Sequence, residues 1–117
     1  MNGKQNGEQS VVLSEDVVAK IVSIAAMDVY GVCGLVPAPD VKLMLKSGDA
    51  RSVRVKSVDD ALIVDLYIKL KMGVKITSVC ENVQQSVKNS IQNMTNSVVS
   101  QVNVFVADID FDENEAS

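Results

Sequence analysis

The sequence predicts an α+β fold: a two-layer sandwich, a three- or four-stranded sheet with two helices on one face, in the order β-α-β-β-α-β. Three patterns carry this expectation. Two segments repeat apolar residues at the helical period, and two neighbouring runs alternate apolar and polar residues at period two. Each helix has a single apolar stripe, which one sheet face can cover.

Residues 1–10, MNGKQNGEQS, are polar and read as a disordered tail. The domain is expected over 11–110, followed by an acidic tail over 111–117. Val11-Val12-Leu13 is a short apolar run suited to an edge strand. Ser14 is placed to cap a helix, with Glu15 and Asp16 at the positive end of its dipole. Leu13 and Val18 stand at staple spacing. Val17, Ile21, Ile24 and Ala25 continue the stripe, so the first helix is expected over 15–30, closed by Gly31 in a left-handed cap.

Residues 31–51 read as a loop at their start, where GVCGLVPAPD holds two Gly and two Pro. Within it, 41–46 suits either a short strand or one helical turn, and Ser47-Gly48-Asp49 suits a turn. A β-hairpin follows. With Asp59-Asp60 as its turn, Val58 faces Ala61, Val55 faces Val64 and Val53 faces Leu66, and the valines are expected on one face. Arg54 falls opposite Asp65 as an opposite-charge pair. Ser78 and Glu81 have capping-box spacing for the second helix. Its stripe is Val79, Val83, Val87, Ile91 and Met94, and Asn96 suits the left-handed cap. The last strand runs from Val98 to Ile109.

Composition narrows the chemistry. The chain contains no His, the commonest acid/base group near neutral pH and the commonest metal ligand. Ser-His-Asp and Cys-His catalysis and most zinc sites are thereby excluded. Cys33 and Cys80 form no C-x-x-C pattern and are expected as reduced thiols, Cys80 in the core. Asp108, Asp110 and Asp112 alternate as a calcium loop begins, but Glu113 stands where that loop needs Gly. Gly31-Val32-Cys33-Gly34 has the GxxG form of KH domains, yet Pro37 and Pro39 follow in place of a helix. No catalytic, cofactor or metal residue is assigned. The first residues lack an apolar h-region, so no secretory leader is expected, and no apolar run is long enough to span a membrane.

What is left is surface. Residues 42–75 hold eight of the eleven basic residues against four acids, a net of +4, while the rest of the chain carries −8. A basic hairpin face with Arg54, Lys56, Lys69 and Lys71 suits an anionic surface, or the acidic end of a second copy. The sheet face away from the helices is expected to carry Ile63, Tyr67, Phe105 and Ile109 as an uncovered apolar patch, unless 35–46 fold over it.

The run VVLSEDVVAKIVSIAAMDVYGVCGL resembles the start of the alkaline-shock-protein, or Gls-type, envelope stress family of Gram-positive bacteria. VDLYIKLKMGVKI and SVCENVQQSVKNSIQNMTNSVVSQVNVFVADI resemble the rest, so the resemblance covers about 10–111. The chain departs from the family pattern at Met72, where an aromatic is usual, and at Asn96, where Gly is usual. The resemblance implies a cytoplasmic, non-enzymatic protein of envelope homeostasis without cofactor. It implies self-association, and a place near the membrane through a small membrane-anchored partner. Nucleic-acid binding through Arg54, Lys56 and Lys69 is the alternative that the basic hairpin offers.

Overall fold

A computed structural model of the chain describes residues 13–39 and 51–111. The expected strand at 11–13, the alternatives for 41–46, the turn at 47–49, Asp112 and most of the two tails lie outside these. The described elements are α1 (Glu15–Met27), β1 (Val32–Leu35), β2 (Val53–Val58), β3 (Ala61–Lys71), α2 (Ile76–Thr95) and β4 (Val98–Asp110). They form the expected α+β sandwich, two helices over one face of a four-stranded sheet.

Helix α1 begins as its sequence suggests. Ser14 is the N-cap, and its Oγ accepts from the Val17 N–H at 3.1 Å. The helix ends at Met27, short of the expected residue 30. Asp28 is its C-cap, and the chain then turns through Gly31 at φ +102°. The early end has a physical reason: residues 32–35 form a strand, and the chain needs 28–31 to reverse into it. This strand, β1, occupies sequence that reads as loop.

Strand β3 is the spine of the sheet. β2 pairs antiparallel with its first half and β1 with its second half, end to end along one edge. Val36 N–H donates to the Tyr67 carbonyl and Tyr67 N–H to the Ser52 carbonyl, both at 3.0 Å, which joins the two short strands. β4 runs along the other edge, parallel to β3. A parallel pair needs a crossover, and α2 supplies it.

The hairpin register is the expected one, from Val53 opposite Leu66 to Val58 opposite Ala61. Asp59 and Asp60 both take positive φ, 52° and 66°, as a two-residue hairpin turn requires. The valines nevertheless divide between faces. Val53 and Val55 point to the helices, while Val58, an odd number of residues away, lies on the outer face and is exposed.

Helix α2 starts at Ile76 with Lys75 as N-cap and no side-chain cap. Ser78 and Glu81 therefore lie inside the helix, and the expected capping box does not form. At the other end Asn96 takes the left-handed conformation, φ 62°, with its N–H on the Gln92 carbonyl.

The core is aliphatic. Val64, Leu66, Ile68 and Leu70 of β3 meet Val22 of α1 and the α2 stripe Val79, Val83, Val87 and Ile91. Each such side chain contributes about 1.5–3 kcal/mol by leaving water. Ala19, Ala25 and Ala26 keep α1 close to its neighbours, and Ser86 Oγ donates to the Ala25 carbonyl at 2.9 Å between the helices. Met94 lies outside this stripe and is exposed.

Candidate interaction surface

The sheet face away from the helices is set by the odd-numbered residues of β3: Ile63, Asp65, Tyr67, Lys69 and Lys71. The registers of β2 and β4 then place a row of side chains beside each.

At the centre Tyr67 lies beside Phe105. The rings stack, with centroids 4.7 Å apart and planes 15° from parallel. Tyr67 is half-buried and Phe105 is 43% exposed. Ile63, half-buried, sits between Lys56 and Gln101. Three of the four expected apolar residues thus share the face.

Ile109 does not. It pairs with Leu70, so it lies on the helix side, packed against the core. The cause is a bulge: Ile68 pairs with Val106 and Lys69 with Asp108, leaving Ala107 unmatched. One extra residue flips every later side chain to the other face.

The basic residues are on the expected face but not alone there. Arg54 lies opposite Asp65, as the hairpin register predicts. Asp65 also accepts a hydrogen bond at 2.8 Å from Asn103 Nδ2, a partner that the sequence did not signal because it sits on a parallel strand 38 residues away. Lys69 lies beside Asp108 and Lys71 beside Asp110. The stem of Lys69 passes over Gly34, where a Cβ would stand 3.4 Å from its Cε. Lys71 Nζ sits 5.0 Å from the centre of the Tyr30 ring, within cation–π range. Carboxylates on β3 and β4 therefore interleave with the cations, and the face is a mixed-charge frame around an aromatic centre.

The cysteines sit at its margin and in the helix layer. Cys33 is the bulged residue of β1, half-buried, with its thiol donating to the Lys69 carbonyl at 3.6 Å. Burial, aided by the Asp110 charge, pushes this thiol above the usual cysteine range. Burial alone does the same to Cys80 on α2. Neither is held as a thiolate, the form that reacts.

Residues 3–111 match the alkaline-shock-protein-23 family, described as having a cell envelope-related function. The chain belongs to this family. Among curated relatives, the uncharacterized protein Spy1614 of Streptococcus pyogenes serotype M6 is 35% identical over 102 residues, covering 83% of this chain and 84% of that one. The uncharacterized proteins YloU and YqhY of Bacillus subtilis are each 30% identical, covering 80% and 87% of this chain and 82% and 78% of theirs. Among solved structures, a zinc form of the MamM CTD superposes with a TM-score of 0.57 at 17% identity, covering 82% of this chain and 87% of that one. A nickel form of the MamM CTD gives 0.51 at 15%, covering 80% and 96%. At this identity the likeness concerns the fold alone.

The two departures from the family pattern are structurally mild. Asn96 adopts the left-handed conformation that Gly favours, and Asn tolerates it better than most residues. Met72 is exposed beside Gly73, which turns the chain at φ +93°. No helix among the described residues is long and apolar enough to cross a membrane.

Proposed function

We propose that this family member is a non-enzymatic scaffold of the cell envelope, cytoplasmic, self-associating and brought to the membrane by a small membrane-anchored protein. One observation supports the reading above others. The stacked Tyr67–Phe105 pair, with Ile63 beside it, sits at the centre of a sheet face that no described element covers. An aromatic anchor ringed by polar and charged side chains is the usual anatomy of a binding hot spot. Arg54, Lys56, Lys69 and Lys71 form the rim, together with Asp65, Asp108 and Asp110. The interleaved carboxylates suit a protein partner better than the phosphate backbone of a nucleic acid, which they would repel.

The test is affinity purification from native membranes after crosslinking, with size-exclusion chromatography and light scattering on the purified chain. The reading expects a mass above the monomer and capture of a small membrane-anchored protein, both weakened by Tyr67→Asp or Phe105→Asp. A strict monomer at high concentration, with capture indifferent to both substitutions, contradicts it.

A further inference from the structure

Strand β4 has β3 on one side and no strand on the other among the described residues. Its outward backbone groups can be identified. Gln84 of α2 donates from Nε2 to the Val102 carbonyl at 3.1 Å, so the peptide groups of Val102 point away from β3. By alternation those of Val104 and Val106 do too, while Gln101, Asn103 and Phe105 bond to β3. Further along, Met72 N–H donates to the Asp110 carbonyl, so Asp110 faces inward and Ile109 outward.

The two ends of this edge are occupied. Val99 N–H donates to Gln92 Oε1 at 3.3 Å, and Ile109 N–H donates to Asp108 Oδ1 at 2.8 Å. Between them, no side chain among the described residues reaches the backbone of Val104 or Val106. Exposed edges are normally blunted by charge or proline. From Val98 to Ala107 the strand has neither. Its two bulges, at Ser100 and Ala107, bracket the open stretch.

We propose that 102–106 is a pairing edge for a second copy of this chain, which adds its own β4 antiparallel about a two-fold axis through Val104. The proposal rests on the self-association in the reading above and gives it a surface. The strand's own pattern selects this occupant. With Val104 opposite its counterpart, Val102 meets Val106 and Asn103 meets Phe105 of the second copy. Every outward residue then meets an outward residue; Val104 exchanges two hydrogen bonds with its counterpart, and the Val102 carbonyl, which already accepts from Gln84 Nε2, takes the Val106 N–H of the second copy on its second lone pair. Asp108 and Asp110 fall opposite Ser100 and Val98, whereas parallel pairing would set each acid against itself. Ala38 and Arg51 lie at the opposite edge of the sheet, where the Ala38 N–H donates to the Arg51 carbonyl at 2.8 Å. Pairing makes one continuous sheet and sets two Tyr67–Phe105 centres side by side on one face. The contact is isologous, so it closes at a dimer.

The test is amide hydrogen exchange of the full chain over a concentration series, with light scattering on the same samples. The proposal expects a mass rising from 12.6 kDa toward twice that value. The Val104 and Val106 amides should gain about tenfold protection or more over the same range. Val104→Pro removes an N–H that points away from β3, so it spares the fold and abolishes both effects. Val106→Pro removes the other outward N–H and does the same, with circular dichroism unchanged in each. Association that survives both substitutions, without protection at Val104, overturns the edge and leaves self-association standing. A monomer at every concentration overturns both. Protection at Val104 independent of concentration shows the edge filled by the chain's own residues and overturns the proposal.

Discussion

Tyr67 and Phe105 stack across the β3–β4 pair, 38 residues apart in sequence and 4.7 Å apart between ring centres. The contact exists because β4 returns parallel to β3 in a register that sets residue 105 beside residue 67. It ties the face proposed for binding to the same strand pair that forms the core.

Phe105→Ala removes this stack from a partly exposed site. Unfolding free energy should fall by about 1 kcal/mol, the worth of an aromatic pair plus modest burial, read by urea denaturation with unchanged slope. A loss of about 4 kcal/mol or more would mean that Phe105 is a core residue instead.

The bulge at Ala107 predicts a contrast between neighbours. Ile109 is half-buried against the core, so Ile109→Asp should cost about 2 kcal/mol by losing apolar contact and partly desolvating a charge. Ala107 is exposed, and Ala107→Asp should stay within about 0.5 kcal/mol. Thermal or urea unfolding of the two variants checks this; equal effects would mean that the strand runs without a bulge.

Two glycines with similar φ separate strain from crowding. At Gly31 (φ +102°) an added Cβ would stand 2.9 Å from Val79 Cγ2, whereas at Gly73 (φ +93°) it would meet nothing within 4 Å. Gly73→Ala should cost about 1 kcal/mol from backbone strain alone, and Gly31→Ala about 2–4 kcal/mol because the buried Val79 must also shift. Parallel denaturation curves decide the order.

Both thiols are raised by burial, with Asp110 adding to the effect at Cys33. The sign is that folding favours the protonated form, so the folded chain has less thiolate than the unfolded chain at any given pH. Iodoacetamide should label both cysteines more slowly in the folded than in the urea-unfolded protein at pH 8, with the gap closing as pH rises. The linked stability is present below the unfolded thiol's range and is lost as pH climbs through the folded one. Faster labelling of folded Cys33 would point to an activated thiol.

Much of the fold was legible because local and tertiary signals agreed. Alternation in 53–70, with Asp59-Asp60 between, defined a hairpin whose register the structure repeats. Ser14 and Asn96 capped where their side-chain chemistry suggests. The misreadings share a cause: each depended on a contact distant in sequence. Cys33 to Leu35 carry Gly and flank Pro, so they read as loop, and they are a strand only because the end of β3 offers an edge. Ser78 and Glu81 have the spacing of a capping box, but the chain leaving Gly73 becomes helical three residues earlier, at Ile76 with Lys75 as N-cap. Simple alternation puts Ile109 on the outer face because it has no mark for a bulge. The aromatic centre of the surface was legible from Tyr67 and Phe105. Its mixed-charge frame was not, because Lys69 meets Asp108 and Lys71 meets Asp110 only through the parallel pairing.

Site-specific photo-crosslinking from position 67 in intact cells asks whether the Tyr67–Phe105 face is where the protein binds. With Tyr67 replaced by a photoreactive phenylalanine analogue, adducts should form with a second copy of the chain or with a small membrane-anchored protein. The same probe at Lys20, on the exposed side of α1, should give fewer. No adduct from position 67, or the same adducts at the same yield from both positions, would contradict the claim that this sheet face is where the protein binds.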